Sequence, residues 1–378
     1  MKIVHTADWH LGKIVNEFSM LEDQEYFLDQ LIEKLKTMDA DVLIMAGDLY
    51  DRAFPPKEAV ALANKTFTRI IKEVGIPVLA IAGNHDSNER VEYGSQLLEA
   101  SDLFIEGTVK SLTRKVTIQG VHFWLMPFSD PVYIRKLLND DTIHDLEDAT
   151  RVQIERIKEE MNPEEVNVLI AHGYVVNGGL ESVETSDSER PLSIGTAEYV
   201  PVELFEDFDY VALGHLHKAQ KVKWEKVRYS GSPLKYSKSE TRHKKQLLHV
   251  TLDKSGVEVE PFELERKRDM RVVKGFFSDL MEQASEDYIF FELLDEEYQM
   301  DAMNQLKKRY PYAMGLEYVA RQNRQSDAPV LTQAAIEERN LPDLFADFYA
   351  RYTDRELDEA RKQVVASLMD ELERSERT

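Results

Sequence analysis

The 378-residue chain contains no cysteine. This absence excludes disulfide bonds and thiolate zinc sites, so any bound metal must take oxygen and nitrogen ligands. Long apolar runs are also missing: no stretch approaches the roughly 20 residues that a membrane-spanning helix needs, and residues 1–5 contain no long apolar signal region. The composition, 43% hydrophobic and 31% charged, is that of a soluble globular protein. We therefore expect a cytoplasmic protein of about two or three domains.

Positive charge is scarce as well, because 47 Lys and Arg stand against 70 Asp and Glu and leave a net charge of −23. An acidic chain is an unusual partner for DNA, since phosphate contacts normally come from Lys and Arg. The charge is unevenly spread, however: residues 218–245 hold ten Lys or Arg and two acids, Glu225 and Glu240. This basic segment is either a solvated hairpin or a phosphate-facing surface. Its place directly after the last metal motif favours the second interpretation.

Five short segments carry side chains that can bind metal ions. They are Asp8-Trp9-His10, Gly47-Asp48, Gly83-Asn84-His85-Asp86, His172-Gly173 and Gly214-His215-Leu216-His217. Four of them directly follow a short apolar run, where a strand would end and a loop would begin. Two adjacent metal ions need a bridging carboxylate, and mixed oxygen and nitrogen ligands suit a borderline ion such as Mn(II). The pattern therefore predicts a two-metal centre at one edge of a sheet, with Asp48 as the natural bridge.

Apolar strand-like runs alternate with amphipathic helical stretches up to about residue 262, which predicts an α/β layered sheet joined by later antiparallel strands. The polar residues 178–195 are expected to form a long loop, either functional or a tolerated insertion. A compact α+β module is expected over residues 269–320, followed by a linker at 321–329.

Two amphipathic helices close the chain, and they either pack on their own protein or dock on a partner. Their apolar faces comprise Leu341, Leu344, Phe345, Phe348, Tyr349 and Tyr352 in the first and Leu357, Val364, Leu368 and Leu372 in the second, which begins at a capping box of Thr353 and Glu356.

The motif series D-x-H, G-D-x-x-D, G-N-H-D, H-G and G-H-x-H resembles that of the calcineurin-like metallophosphoesterases. Three further stretches, KIVHTADWHLG at residues 2–12, Ser188-Glu189-Arg190 and GSPLKYS at residues 231–237, resemble the SbcD family of bacterial DNA double-strand-break repair nucleases. The resemblance implies a layered β-sandwich flanked by helices over residues 1–264, an α+β capping domain over 265–322 and a C-terminal helical partner-docking segment over 331–378.

The resemblance also implies a function and partners. It implies a Mn-dependent nuclease with exonuclease activity on double-stranded DNA and endonuclease activity on single strands and hairpins, acting in DNA recombination, replication and repair. An SbcC-type SMC-like ATPase would be the obligate partner, with the two C-terminal helices docked on the base of its coiled coil. A homodimer within a heterotetramer would form through helices near residues 57–74 and 93–100.

A ligand set follows from the same resemblance. One metal ion would take Asp8, His10, Asp48 and His217, and the other would take Asp48, Asn84, His172 and His215. His85 would contact the scissile phosphate and help to protonate the leaving oxygen. Asp86 would hold the His85 imidazole or would cap a turn. DNA contacts are expected from Lys218, Lys221, Lys235 and Arg242.

Asp51 stands where related nucleases outside the bacterial branch have a second histidine. Its candidate roles are to position His85, to position a metal-bound water, or to stabilise the loop.

Two other functions of the protein fit parts of the pattern. A stand-alone phosphodiesterase or phosphatase acting on small nucleotides or phosphoproteins would need the same ligands but not the C-terminal third. A scaffold without turnover is disfavoured by the complete ligand set.

Overall fold

The structure is a computed structural model that describes residues 1–189, 199–319, 341–353 and 357–375. It separates into two compact units. The first comprises Met1–Val273, Gln283–Phe291 and Met303–Gly315, and the second comprises Lys274–Glu282, Glu292–Ala302 and Leu316–Thr378. Within the described residues, no helix is both long and apolar enough to cross a membrane.

Residues 1–262 form strands and helices in alternation. The strands are β1 (Lys2–Thr6), β2 (Ile14–Val15), β3 (Phe18–Ser19), β4 (Val42–Ala46), β5 (Val78–Ile81), β6 (Leu103–Glu106), β7 (Arg114–Ile118), β8 (Val121–Met126), β9 (Val166–His172), β10 (Tyr174–Val176), β11 (Tyr199–Pro201), β12 (Tyr210–Gly214), β13 (Gln220–Val222), β14 (Trp224–Tyr229), β15 (Leu247–Asp253) and β16 (Gly256–Phe262). The helices are α1 (Leu21–Thr37), α2 (Lys57–Arg69), α3 (Asn88–Glu92), α4 (Ser95–Leu98), α5 (Pro131–Leu138) and α6 (Leu146–Glu160), and a π-helical turn, Ile70–Val74, extends α2.

Two six-stranded sheets organise this part of the chain. The first has the order β16-β15-β1-β4-β5-β6 and the second the order β13-β14-β12-β9-β8-β7. Strands β1, β4, β5 and β6 run parallel in the first sheet, and β8, β9, β12 and β14 run parallel in the second. Strands β15 and β16 add antiparallel neighbours to the first sheet, while β7 and β13 do so in the second. The sequence-based expectation of an α/β layered sheet joined by antiparallel strands is confirmed.

The two sheets pack face to face, and helices cover their outer faces. Ile44 of β4 and Ile170 of β9 lie in one buried cluster that draws on both sheets. Leu43, the neighbour of Ile44, points the other way into a cluster with Leu28 of α1, because successive side chains of a strand face opposite sides. The outer face of the second sheet is covered by α6. The layered, helix-flanked sandwich predicted from the sequence is confirmed.

The later part of the chain follows the expected order of elements. It contains β17 (Met270–Gly275), α7 (Phe277–Met281), β18 (Tyr288–Leu293), α8 (Ala302–Lys307), β19 (Ala313–Tyr318), α9 (Leu341–Thr353) and α10 (Glu359–Ser375). Strands β17, β18 and β19 form one sheet with β18 in the middle. The expected linker at 321–329, Arg190, Glu356 and part of the long loop lie outside the described residues. The domain limits at 264, 322 and 331 stay predictions.

Candidate metal centre

The predicted ligands lie where parallel strands of the two sheets end. Asp8 follows β1, Asp48 follows β4 and Asn84 follows β5, while His172 ends β9 and His215 follows β12. Parallel strands present their carboxyl ends at one edge of a sheet, so loops that are distant in sequence meet there. Backbone hydrogen bonds join the first two loops: Asp8 N–H donates to the Gly47 carbonyl and His10 N–H to the Asp48 carbonyl, both at 3.0 Å.

The donor atoms form two groups on either side of Asp48. In the first, Asp8, His10 and His217 offer atoms within 4.8 Å of one another, and in the second Asp48, His172 and His215 do so. Asn84 belongs with the second group, because its Oδ1 lies 3.0 Å from both His172 Nε2 and His215 Nδ1. Asp48 Oδ2 lies 3.6 Å from His10 Nε2 and 3.5 Å from His172 Nε2. This carboxylate therefore faces both groups, as a bridging ligand must.

The spacing of these atoms fits metal coordination. His10 Nε2 and His217 Nε2 face each other at 3.0 Å. Ligand bonds of about 2.0–2.1 Å at right angles separate two donors by about 3 Å, so the spacing is that of neighbouring ligands on one ion. Two carboxylates, one amide oxygen and four imidazoles, without a thiolate, suit divalent ions of borderline character. The residues present therefore fit two divalent metal ions, one on each side of Asp48.

Burial and charge act in opposite directions within this site. Burial raises the pKa of Asp8 to about 7 and holds the pKa values of His10 and His215 well below their usual range. Burial is the largest effect on Asp48 and alone would raise its pKa, but the surrounding histidines His172, His10 and His85 together outweigh it and keep that pKa well below its usual range. Neutral imidazoles offer lone pairs to a metal, and a bound cation would offset the buried negative charge.

Several ligand residues have a backbone conformation that L-residues seldom adopt. The φ angle is +55° at Asp8, +46° at His10, +56° at Asp48 and +107° at His215. Each such residue costs on the order of 1–3 kcal/mol, and conformations of this kind cluster at functional sites. The hydrogen bonds between the first two loops help to hold the strained backbone in place.

Glycine precedes the ligands Asp48, Asn84 and His215, and the reasons differ between Gly47 and Gly83. Gly47 has φ +89°, and a Cβ atom there would lie 2.3 Å from His172 Nδ1, so both the turn and the packing require glycine. A Cβ atom at Gly83 would lie 2.2 Å from Asp48 Oδ1, although Gly83 has no left-handed φ. A left-handed turn together with close packing therefore explains Gly47, whereas close approach alone explains Gly83.

His85 lies beside the bridging carboxylate, outside both ligand groups, and forms a third set of donor atoms within 4.8 Å of one another with His10 and Asp51. Its Nδ1 is 2.8 Å from the Asp51 carbonyl oxygen, and its Nε2 is 4.0 Å from Asp48 Oδ2. Its backbone N–H donates to Asp48 Oδ1 at 2.9 Å. The Asp51 carboxylate pairs with Lys13 Nζ at 2.7 Å and lies 3.9 Å from His10 Nδ1. Among the candidate roles of Asp51, positioning His85 is thus provided by its backbone carbonyl, while its side chain pairs with Lys13.

Asp86 does not orient His85, which corrects one of the two expectations for it. Its Oδ2 accepts from the backbone N–H groups of Leu49 at 3.1 Å and Gly83 at 2.9 Å, and its Oδ1 accepts from that of Tyr50 at 2.9 Å. Both oxygens are therefore occupied by backbone donors. The structure gives Asp86 the turn-capping role, in which one buried carboxylate ties together the loops that carry Asp48 and Asn84.

The four residues expected to contact DNA differ in burial and in their ion pairs. Lys235 is buried, and its Nζ donates to the Thr241 and Met270 carbonyl oxygens and pairs with Asp269 at 2.9 Å. The expectation that Lys235 contacts DNA is therefore wrong, because its charge is already neutralised inside the protein. Lys218 pairs with Glu184, and Lys221 pairs with Glu225 at 3.6 Å.

Arg242 is exposed and lines an open pocket together with Lys218, His243 and Lys244. For Lys218, Lys221 and Arg242 the DNA contact stays a prediction.

Sequence reasoning missed a buried ion pair behind His217 and the two partly buried residues that adjoin it. Glu240 and Lys245 form an ion pair there, and Ser188 and Glu189 reach the same histidine from the long loop. Ser188-Glu189 is part of a stretch that carries the family resemblance, and Glu240 is one of only two acids in the basic segment. Those two signals could have marked the group.

Comparisons with known proteins find two matching family models and a number of similar solved structures. The model described as calcineurin-like phosphoesterase matches residues 1–219. The model SbcD_C, described as the Type 5 capsule protein repressor C-terminal domain, matches residues 266–353. A dimetal phosphatase from Danio rerio is similar in structure at 9% sequence identity and a TM-score of 0.41, over 70% of this chain and 98% of that one. At this distance the likeness says nothing about activity.

The first family match covers 219 of the 378 residues and includes every predicted metal ligand from Asp8 to His217. That region folds as the helix-flanked sandwich and brings the ligands together on either side of Asp48. Members of this family hydrolyse phosphoester bonds. The chain therefore belongs to the calcineurin-like phosphoesterase family and is a metal-binding hydrolase of phosphoesters.

Proposed function

We propose that this phosphoesterase is a DNA nuclease, active as an exonuclease on double strands and as an endonuclease on single strands and hairpins. Mn(II) is the expected ion, since it accepts both imidazole and carboxylate ligands. The observation that carries the proposal is the second family match, SbcD_C, over residues 266–353. It supports the resemblance to the SbcD family that the stretches within residues 1–264 suggest independently.

Residues of the chain would bind two metal ions beside the scissile phosphate. Two bound divalent ions would lower the pKa of a coordinated water and offset charge on the phosphate oxygens. Asp8, His10 and His217 would hold one ion, Asn84, His172 and His215 the other, and Asp48 would hold both. His172 Nδ1 lies 2.9 Å from the Ala46 carbonyl oxygen, so Nδ1–H donates there and Nε2, which faces Asp48 and Asn84, is the nitrogen that would bind the ion.

His85 is placed to donate the proton that the leaving group needs. A water attacks phosphorus in line with the departing sugar oxygen, the P–O bond to that oxygen breaks, and the His85 imidazolium gives it a proton. The hydrogen bond to the Asp51 carbonyl fixes the ring through Nδ1, so that Nε2 is the atom on the Asp48 side. No covalent enzyme intermediate is required.

The proposal includes an SbcC-type SMC-like ATPase that docks on the C-terminal helices. Val364 and Leu368 of α10 are 58% and 55% exposed and lie four residues apart, on one face of the helix. Replacing both by Asp should weaken ATPase binding, whereas Lys362→Asp, which changes the charge equally at an exposed position on the opposite face of the helix, should not. Undiminished binding of the double variant would remove these two residues from the docking site.

A homodimer through the helices after β4 and β5 is also proposed. Tyr93 and Leu97 are 87% and 83% exposed, which is unusual for large apolar side chains near each other. A second copy of the chain would cover them. Leu97→Glu should yield monomers in light scattering, whereas Leu112→Glu, at a 57% exposed leucine elsewhere, should leave the mass unchanged. A monomeric wild type would contradict the dimer.

The nuclease proposal is tested with Mn²⁺, a labelled hairpin DNA and a generic phosphodiester chromogen. Wild type should cleave the hairpin, and Asp48→Asn, which loses the bridging charge, should cleave neither substrate. Hairpin cleavage that persists in Asp48→Asn would reveal a contaminating nuclease. Cleavage of the chromogen alone would favour a stand-alone phosphodiesterase and contradict the nuclease proposal.

A further inference from the structure

His217 is held at three of its own atoms by residues that the proposed chemistry does not use. Its backbone N–H donates to Glu189 Oε1 at 2.7 Å, and its backbone carbonyl accepts from Lys245 Nζ at 2.7 Å. Its ring Nδ1 lies 2.7 Å from Ser188 Oγ and 3.2 Å from Glu240 Oε1. The other ring nitrogen, Nε2, is the one that faces His10. We call Ser188, Glu189, Glu240 and Lys245 the His217 clamp.

The charged pair of the clamp is buried almost completely, with Glu240 0% and Lys245 3% exposed. The ammonium group of Lys245 has three N–H bonds to donate, and three acceptors surround it: the His217 carbonyl at 2.7 Å, Ser232 Oγ at 2.8 Å and Glu240 Oε2. Such a pair seldom stabilises a fold more than apolar residues of similar size would. Stability alone therefore does not account for a buried pair behind a metal ligand.

An acceptor at Nδ1 is what a histidine ligand requires. A histidine that binds metal through one nitrogen usually donates its other N–H to a carboxylate or carbonyl, which fixes the tautomer and the ring orientation. We propose that Glu240 is the positioning residue that holds His217 with Nε2 aimed at the first metal group, and that Lys245 fixes Glu240 in turn. This inference rests on the two-metal site of the proposed function but not on DNA as its substrate.

The clamp also fastens the long loop to the metal site. Ser188 and Glu189 belong to the segment between β10 and β11, and both bond to atoms of His217. Ser188 Oγ donates to Glu240 as well. A change in the position of His217 would therefore also displace Ser188 and Glu189 of the loop.

Paired substitutions separate positioning from structural support. Glu240→Met with Lys245→Met removes both charges and the carboxylate at Nδ1 while keeping apolar bulk, so the fold should keep its melting temperature. Ser188 Oγ then lacks the carboxylate that takes its hydrogen and can itself donate to Nδ1, so it no longer fixes the tautomer. One Mn²⁺ should then bind about 10–100-fold more weakly, the usual effect of losing such an outer partner, while the other Mn²⁺ binds as in wild type. Glu240→Gln with Lys245→Met keeps an acceptor oxygen at Nδ1 and should restore the lost affinity to near the wild-type value.

Isothermal titration calorimetry with Mn²⁺ measures both affinities, and electron paramagnetic resonance reports whether the two ions form a coupled pair. Glu25→Met with Lys65→Met is the matched control, because this pair is about half exposed and spans α1 and α2. The control should bind two Mn²⁺ as wild type does. Wild-type affinity for both ions in a folded Glu240→Met, Lys245→Met protein would overturn the proposal.

A measurement on the wild type covers the case in which that variant does not fold. Two-bond ¹H–¹⁵N correlation spectra of the metal-free protein report the histidine tautomers. His217 should carry its proton on Nδ1, and a proton on Nε2 would overturn the positioning role. Failure of hairpin cleavage in a wild type that binds two Mn²⁺ would contradict the nuclease proposal and leave the clamp standing.

Discussion

Asp86 ties together the two loops that carry Asp48 and Asn84. Its removal should therefore lower the free energy of unfolding, and this loss should be larger than any direct effect on the proton transfer assigned to His85. The Asp86 carboxylate, 7% exposed, accepts three backbone hydrogen bonds of 2.9–3.1 Å. Each buried donor left without an acceptor costs about 1–3 kcal/mol. Since the loops can relax and admit water, we expect Asp86→Ala to lower the free energy of unfolding by about 3–6 kcal/mol. That is a large share of the usual stability of a folded protein.

Chemical denaturation of the metal-free protein measures this loss without the added stability of bound metal. Asp130→Ala is the matched control, because Asp130 caps α5 with one exposed hydrogen bond, 2.7 Å long, to the Val132 N–H. Its loss should be about 1 kcal/mol. If Asp86→Ala is no less stable than Asp130→Ala but cleaves DNA as poorly as a His85 variant, the turn-capping role is wrong and Asp86 orients His85 after all.

Three further substitutions test the site. His85→Ala should keep both metal ions in elemental analysis but lose about 100–10,000-fold in hairpin cleavage, and cleavage at the wild-type rate with full metal would refute its role. His217→Ala should retain one metal ion of two, so full occupancy would remove it from the ligand set. Gly83→Ala should destabilise by about 1–3 kcal/mol because its Cβ would lie 2.2 Å from Asp48 Oδ1, whereas Gly275→Ala, whose Cβ would lie 3.4 Å from Leu280, should be near wild type. Equal stability of the two glycine variants would contradict the close-approach argument.

The strand framework could be predicted from sequence because its strands are buried on both faces. Residues 42–46 and 78–81 are apolar throughout, as a strand between a second sheet and a layer of helices must be. The ligand series could be predicted for a related reason, since each motif directly follows or ends such a run. Sequence thus specified which residues meet at the sheet edge.

The conformation of the ligand loops could not be predicted in the same way. Asp8, His10 and Asp48 adopt a left-handed backbone that non-glycine residues seldom take. Nothing in the local sequence signals it, because hydrogen bonds between separate loops impose it. The need for glycine at position 83 has a similar origin, because the constraint comes from Asp48, 35 positions away in the chain.

Composition alone also misled about the basic segment. Lys235 and Lys245 look like surface charges in the sequence, but both are buried against acids, Asp269 and Glu240. Whether a lysine faces solvent or an internal carboxylate depends on partners that the run itself does not reveal. A count of ten positive residues therefore overstated the charge available to a nucleic acid.

The position of β15 determines where the catalytic region can be cut. This strand lies between β1 and β16, and the amino group of Met1 donates to the Leu252 carbonyl at 2.8 Å. Strands β13 to β16 all come after residue 219, where the phosphoesterase match ends. A fragment that stops there would leave β1 and β12 as open edges, which are templates for aggregation. A self-sufficient catalytic fragment must therefore extend at least through β16, to Phe262.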